Sequence, residues 1–266
     1  MKKVKVQNIA EIVNRLAPRQ LAEDWDNVGL LVGSFSAPCE KIFVCLDVTD
    51  ETVKSAVYFG ANLIVVHHPV IFRPVKNFRT DLPLGNKLST LIKNDVSVFA
   101  AHTNLDSAEG GVNNVLAQKL GLIDVKTLDD ELSLGRIGYL PTKMTAVEFS
   151  KHVADKLNCD AVRLIDAGDF EIEKVGICGG AGSEFIGKAK FLGAQAFVTG
   201  DVKYHEAQNA VESKIHVVDA GHFATEFPVV HMLAEKLKLE CDKLGYAVEI
   251  AEDTTSRDVF KNILGR

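Results

Sequence analysis

Gly60-Ala61-Asn62-Leu63-Ile64-Val65-Val66-His67-His68-Pro69 is the stretch on which the fold turns. Leu63 to Val66 is an unbroken apolar run, too short for a helix and bounded by punctuating residues. It reads as a strand covered on both faces. Upstream, Asp50 to Phe59 has helical spacing with Thr49 or Asp50 as its cap, and Gly60 stands where a helix-ending glycine belongs. The same grammar continues outward. Ile42 to Val48, Val96 to Ala101, Val175 to Cys178, Ala196 to Thr199, Ile215 to Asp219 and Tyr246 to Ala251 read as strands. Helices are expected over Val4 to Pro18, Gly111 to Leu120, Thr145 to Leu157 and about Thr225 to Leu244. Thr145 and Glu148 have capping-box spacing, and Pro228 is tolerated in the first turn of the last helix. Apolar strands alternating with helices imply an α/β protein with mostly parallel sheets flanked by helices.

Segment 122–144 breaks this rhythm. Asp129-Asp130-Glu131 is followed by Gly135, Gly138 and Pro141, and the segment reads as the crossing between two lobes. Residues 1–125 with 245–266 are expected to form the first α/β lobe and 126–244 the second. An internal echo supports the division. Gly60 to His68 resembles Gly193-Ala194-Gln195-Ala196-Phe197-Val198-Thr199-Gly200-Asp201, and Ala101-His102-Thr103-Asn104-Leu105-Asp106 resembles Gly221-His222-Phe223-Ala224-Thr225-Glu226. Both members of the second pair place a small residue, a histidine and then a carboxylate straight after an apolar strand. Two related lobes, each offering a histidine and a carboxylate to a metal site in the cleft between them, would produce this pattern, as would chance similarity between two βα units.

Composition narrows the function classes. The 266 residues are 47% hydrophobic and 25% charged, a globular mixture with enough apolar material for a sizeable core. A net charge of −6 gives no strong signal for nucleic acid. Met1-Lys2-Lys3-Val4-Lys5-Val6 has no apolar run behind it, so it does not read as a signal peptide. No stretch approaches the roughly 20 apolar residues of a membrane span. Cys39, Cys45, Cys159, Cys178 and Cys241 are scattered and form no C-x-x-C pair, which argues against a disulfide framework or thiolate zinc site and for a reducing, cytoplasmic setting.

The chemistry sits at the strand ends. His67-His68 closes an apolar strand, where open α/β sheets place ligands. In extended backbone the two side chains alternate, so they can diverge toward two different ions. His102 with Asp106, and His222 with Glu226, have the four-residue gap that puts two side chains on one helical face, as metal ligands or as a helix cap or surface ion pair. Imidazole with carboxylate suits zinc, manganese, iron or nickel. A carboxylate can bridge two cations and offset their repulsion, and two ions about 3.5–4 Å apart can share a hydroxide and lower its pKa toward neutrality. Gly179, Gly180 and Gly182, in Val175-Gly176-Ile177-Cys178-Gly179-Gly180-Ala181-Gly182-Ser183, form a strand–turn–helix that can hold an anion such as a cofactor phosphate on free N–H groups, or simply a tight turn. His205, in Thr199-Gly200-Asp201-Val202-Lys203-Tyr204-His205, is a candidate general acid or base, or a residue supporting the metal ligands. Trp25, in Trp25-Asp26-Asn27-Val28-Gly29-Leu30, covers a base or ring, or belongs to the core.

These motifs, in this order, resemble the type 2 homologues of GTP cyclohydrolase I, the NGG-one-interacting-factor-three-like family. The carrying residues are Trp25 to Leu30, His67-His68-Pro69, His102 to Asp106, Thr199-Gly200-Asp201 with Tyr204-His205, and Gly221 to Glu226. The resemblance implies two divalent metal ions, with His67 and His68 on separate ions, Asp106 and His222 as further ligands and Glu226 as the bridge. It places His102 near the metals, as a further ligand or, with His205, as a catalytic candidate. It further implies a homohexamer. Relatives with an extra domain between the lobes exist, and this chain is too short to hold one. Three functions are compatible with this. The first is a metal-dependent hydrolase acting on a nucleotide-like small molecule. The alternatives are a non-catalytic metal-binding regulatory or carrier protein, and an interaction scaffold with incidental metals.

Overall fold

The computed structural model describes residues 3–263 and divides by internal contacts into two units, Met1–Glu109 with Val229–Ser256, and Gly110–Pro228 with Arg257–Arg266. In the first, α1 (Val6–Leu16) is followed by β1 (Gly29–Val32), β2 (Lys41–Cys45), α2 (Asp50–Phe59), β3 (Leu63–Val66), α3 (Pro83–Lys93), β4 (Ser97–Ala100) and the single turn α4 (Thr103–Ser107). The second holds α5 (Val112–Lys119), β5 (Ile123–Asp129), β6 (Leu134–Met144), α6 (Ala146–Leu157), β7 (Arg163–Ile165), β8 (Ile172–Ile177), α7 (Ile186–Phe191), β9 (Ala196–Thr199), α8 (Tyr204–Glu212), β10 (His216–Asp219) and α9 (His222–Glu226). The chain then runs through α10 (Pro228–Leu244) to β11 (Glu249–Glu252).

The first sheet has the order β1-β4-β3-β2-β11, parallel throughout except for β1. The second has the order β5-β6-β8-β9-β10-β7, in which only the pairs β8–β9 and β9–β10 are parallel. Both sheets are therefore mixed, which corrects the expectation of mostly parallel sheets. The strand run β1-β4-β3-β2 nonetheless has the same order and senses as β7-β10-β9-β8. Even the one-turn helices α4 and α9 occupy matching places. The echo seen in the sequence is thus an echo of topology.

Burial explains the central strands. All four residues of β3 and of β9 are buried, because helices cover both faces. In the second unit Ala196 and Val198 pack with α5 and α6 residues such as Leu116 and Phe149, while Phe197 packs on the other face with Ile186, Ala189 and Ala210. In α1 the buried residues Val6, Ile9, Ala10 and Val13 follow helical spacing. Thr145 caps α6 in a capping box with Glu148. No helix among the described residues is long and apolar enough to cross a membrane.

Segment 122–144 is not a crossing. It is the hairpin of β5 and β6, paired antiparallel at the edge of the second sheet. The acidic run is its turn, where Asp129 Oδ1 accepts from the N–H groups of Glu131 and Leu132. The units instead part at Glu109/Gly110, Pro228/Val229 and Ser256/Arg257, where the sequence suggested 125/126 and 244/245. α5 goes with the second unit because Leu116, Ala117 and Leu120 belong to its core. Most of α10 goes with the first, where Glu240 meets Arg15 and His231 meets Glu252. The helix expected over Thr225 to Leu244 is broken at Phe227, and α10 restarts with Pro228 in the position where a missing N–H costs nothing.

Phe197→Ala should lower the stability of the protein by about 3–5 kcal/mol, since a fully buried ring leaves a cavity. Phe191→Ala, at a residue 86% exposed, should stay within about 0.5 kcal/mol. Urea unfolding followed by circular dichroism distinguishes the two.

Candidate metal centre

In the first unit the parallel ladder continues past the strand ends. His67 N–H donates to Cys45 O at 3.2 Å, His68 N–H to Leu46 O at 2.9 Å and Ala101 N–H to Val66 O at 2.9 Å. This register brings three imidazoles together, with ring centroids 4.8 Å apart for His67 and His68, 5.2 Å for His67 and His102, and 5.6 Å for His68 and His102. One ligand nitrogen from each lies within 4.8 Å of the others, a group able to hold a metal ion. Asp106, from α4, brings Oδ1 to 3.6 Å from His67 Nε2.

The second nitrogen of each ring is already committed. His67 Nδ1 lies 2.9 Å from Ala101 O. A carbonyl only accepts, so Nδ1 carries a proton and Nε2 is the nitrogen turned toward Asp106. His68 Nδ1 meets Asp47 Oδ1 at 2.8 Å, and His102 Nδ1 meets Asp26 Oδ1 at 2.9 Å. Burial would raise the Asp26 carboxyl, but hydrogen bonds from His102 and Thr103 and the charge of His102 outweigh it and hold it at about 2. Asp26 is thus a constant anion that orients His102. The two adjacent histidines diverge in their partners, His67 toward Ala101 and Asp106 and His68 toward Asp47, although their rings remain neighbours.

The second unit repeats the device. Gly200 N–H donates to Gly180 O at 2.8 Å and Ala220 N–H to Thr199 O at 2.9 Å, so the loops after β8, β9 and β10 lie side by side. His222 opens α9 behind Gly221, whose φ of +83° suits a residue without a side chain. His222 Nδ1 meets Asp201 Oδ2 at 2.7 Å, and Nε2 lies 3.1 Å from Glu226 Oε2, the partner expected four residues on. Glu226 is only 4% exposed.

The glycine turn serves that carboxylate. Gly180 has φ +63°, and a Cβ there would fall 2.2 Å from Glu226 Oε1. A Cβ on Gly179 would meet Glu226 Cγ at 3.4 Å. The amides do not point to an anion: Gly179 N–H donates to Asn113 Oδ1, Gly180 N–H to Thr225 Oγ1 and Gly182 N–H to Thr199 Oγ1, at 3.0, 3.0 and 2.9 Å. A cofactor phosphate at Gly179, Gly180 and Gly182 would have to displace these bonds. His205 is exposed at the start of α8, with Nδ1 2.9 Å from Gln208 Oε1. It belongs to no metal-capable group among the described residues. The sequence did not single out Asp47, since its pairing with His68 spans 21 residues. Burial pushes the Cys39 thiol up to about 12 and those of Cys159 and Cys241 to about 11, and drives Cys45 well above its ordinary range, so these thiols are poor thiolate donors.

Comparison with known proteins identifies a family. The family model Duf34/NIF3 (NGG1p interacting factor 3) matches residues 4–258. A Clostridium perfringens protein named GTP cyclohydrolase 1 type 2 homolog is 38% identical over 267 aligned residues, covering 98% of this chain and 100% of its own. A relative of the same name from Clostridium acetobutylicum is 33% identical, with 97% and 98% covered. The crystal structure of a Bacillus cereus protein related to NIF3 matches with a TM-score of 0.95 at 26% identity, over 99% of this chain and 100% of that one.

Gly180→Ala should destabilise the protein by more than about 1 kcal/mol, because a left-handed backbone and the Glu226 carboxylate both oppose the new methyl. Gly187→Ala is the control: its Cβ would meet nothing within 4 Å and it lies inside α7, so urea midpoints should hold or rise. Native protein treated with iodoacetamide at pH 8 should leave Cys39, Cys45 and Cys241 unlabelled by mass spectrometry, and unfolded protein should label at all five cysteines.

Proposed function

The chain belongs to the Duf34/NIF3 family, and on that premise we propose that His67, His68, Asp106, His222 and Glu226 together hold two divalent metal ions in a hydrolase of a nucleotide-like small molecule. One observation supports this above the others. In His67, His68 and His222 alike, an acceptor takes Nδ1, which presents Nε2 as the donor to a cation. Such imidazole and carboxylate donors suit zinc, manganese, iron or nickel; a homohexamer is the assembly the resemblance implies, and the scattered cysteines fit a reducing, cytoplasmic setting.

Bound ions of this kind supply Lewis acidity, polarising a carbonyl or phosphoryl oxygen and bringing the acidity of water toward neutrality. The chain's own residues divide the remaining tasks. Asp47 and Asp201 hold the rings of His68 and His222 in one tautomer and one orientation. Glu226, buried and negative, offsets the repulsion between two cations. His102, fixed by Asp26, holds or releases a proton at Nε2 and is the acid–base residue of the proposal. The name carried by the Clostridium relatives directs attention to GTP, which offers both an electrophilic ring carbon and phosphates.

Elemental analysis of untreated protein should find about two ions per chain. His68→Ala and Glu226→Ala should each lower that content while circular dichroism stays unchanged. Protein loaded with manganese or zinc should release formate from GTP. Protein without metal contradicts the whole proposal. Two ions with no turnover of GTP or any other nucleotide contradict the hydrolase and leave a metal carrier or regulator.

A further inference from the structure

Trp25, the single tryptophan of the chain, is 60% exposed, and Phe72 is 46% exposed. Residues this large and apolar are usually buried. Here they stand together beside the histidine cluster. Their centroids are 5.8 Å apart, and the centroid of His102 lies 6.2 Å from Trp25 and 6.1 Å from Phe72.

The pair is held in place. Asp26, next to Trp25, accepts from Thr103 and His102, and Asn27 Nδ2 donates to Ile71 O, tying the Trp25 turn to the residue before Phe72. Rigid exposed aromatic faces suit a planar partner.

Charge gives the other half. Phe72-Arg73-Pro74-Val75-Lys76-Asn77-Phe78-Arg79 carries three cations and no acid, in a chain of net charge −6. Arg79 is matched by Asp81, whereas Arg73 and Lys76 make no ion pair among the described residues. Phe72, Arg73 and Lys76 line one hollow of about 420 Å³, of a size that ligand sites use. Backbone packing shapes that hollow, since a Cβ on Gly85 of α3 would fall 2.0 Å from Arg79 O. Phe72 thus belongs both to the aromatic edge at His102 and to the cationic hollow.

We propose that Trp25 and Phe72 bind the ring of a planar heteroaromatic anion beside His102, and that Arg73 and Lys76 take its anionic end. This rests on the histidine cluster being the reacting centre, and it deepens that reading. The order histidines, aromatic edge, cations presents a ring carbon to the centre. A ligand that met the histidines through its phosphates would leave the aromatic edge and the cations at the wrong end.

Because Trp25 is the only tryptophan, its fluorescence reads the site directly. Full-length protein stripped of metal and protein reloaded with manganese are titrated with GTP, guanosine and tripolyphosphate. GTP and guanosine should quench Trp25 saturably, GTP about ten-fold more tightly, and tripolyphosphate should not quench. Phe72→Leu keeps an apolar side chain but removes the flat face, and should weaken GTP and guanosine alike by about ten-fold. The double variant Arg73→Glu, Lys76→Glu should weaken GTP to the level of guanosine and leave guanosine unchanged.

The absence of quenching by GTP and guanosine overturns the proposal. So does emission that follows protein concentration and not nucleotide, which would mark the pair as a contact between copies of the chain. Quenching in stripped protein that later proves unable to bind metal supports the ring site and sinks only the two-ion centre.

Discussion

The register of three parallel strands governs everything that follows. β2, β3 and β4 lie side by side, and their hydrogen bonds run on for one or two residues after the strands end, through His67, His68 and Ala101. Those extra bonds fix the backbone from which the three imidazoles project. A one-residue slip in β3 would exchange His67 and His68 between the two faces and separate the cluster. The second unit applies the same constraint through β8, β9 and β10, whose ends carry the glycine turn, Asp201 and His222. Shared topology places a histidine and a carboxylate at the same step of each unit, His102 just before α4 with Asp106 on it, and His222 and Glu226 on α9.

What the strands position, acceptors then orient. A histidine can present either nitrogen, and a ring free to flip would hold no ion reliably. Ala101 O, Asp47, Asp26 and Asp201 remove that freedom for His67, His68, His102 and His222. A buried carboxylate is costly unless compensated. Glu226 has the His222 ring at 3.1 Å, and Gly180 clears the space its oxygen occupies. The metal-capable groups among the described residues contain histidine, aspartate and glutamate and no cysteine, so nitrogen and oxygen donors are the ligand chemistry they offer.

Much of this was legible in the sequence because it is local. The bounds of α2, β3 and β9 follow from apolar runs, a threonine cap and closing glycines. The strand-end histidines stand out for the same reason, as does the four-residue step from His222 to Glu226. What escaped reading is non-local. Nothing near Asp47 announces His68, and His102 finds Asp26 across 76 residues. The amides of Gly179, Gly180 and Gly182 looked available because Asn113, Thr225 and Thr199 are distant in sequence. The senses of β1 and β7 depend on which edge each strand meets, which periodicity does not encode. The acidic run at 129–131 resembled a linker, yet one Asp129 side chain folds it into a hairpin turn.

The most direct measurement is nitrogen-15 NMR of histidine-labelled, metal-stripped protein titrated with cadmium-113. The account predicts protonated Nδ1 in His67, His68 and His222 before metal is added, and cadmium coupling to Nε2 of the same three rings at saturation. Coupling through Nδ1, or no coupling to these rings at saturating cadmium, would contradict it.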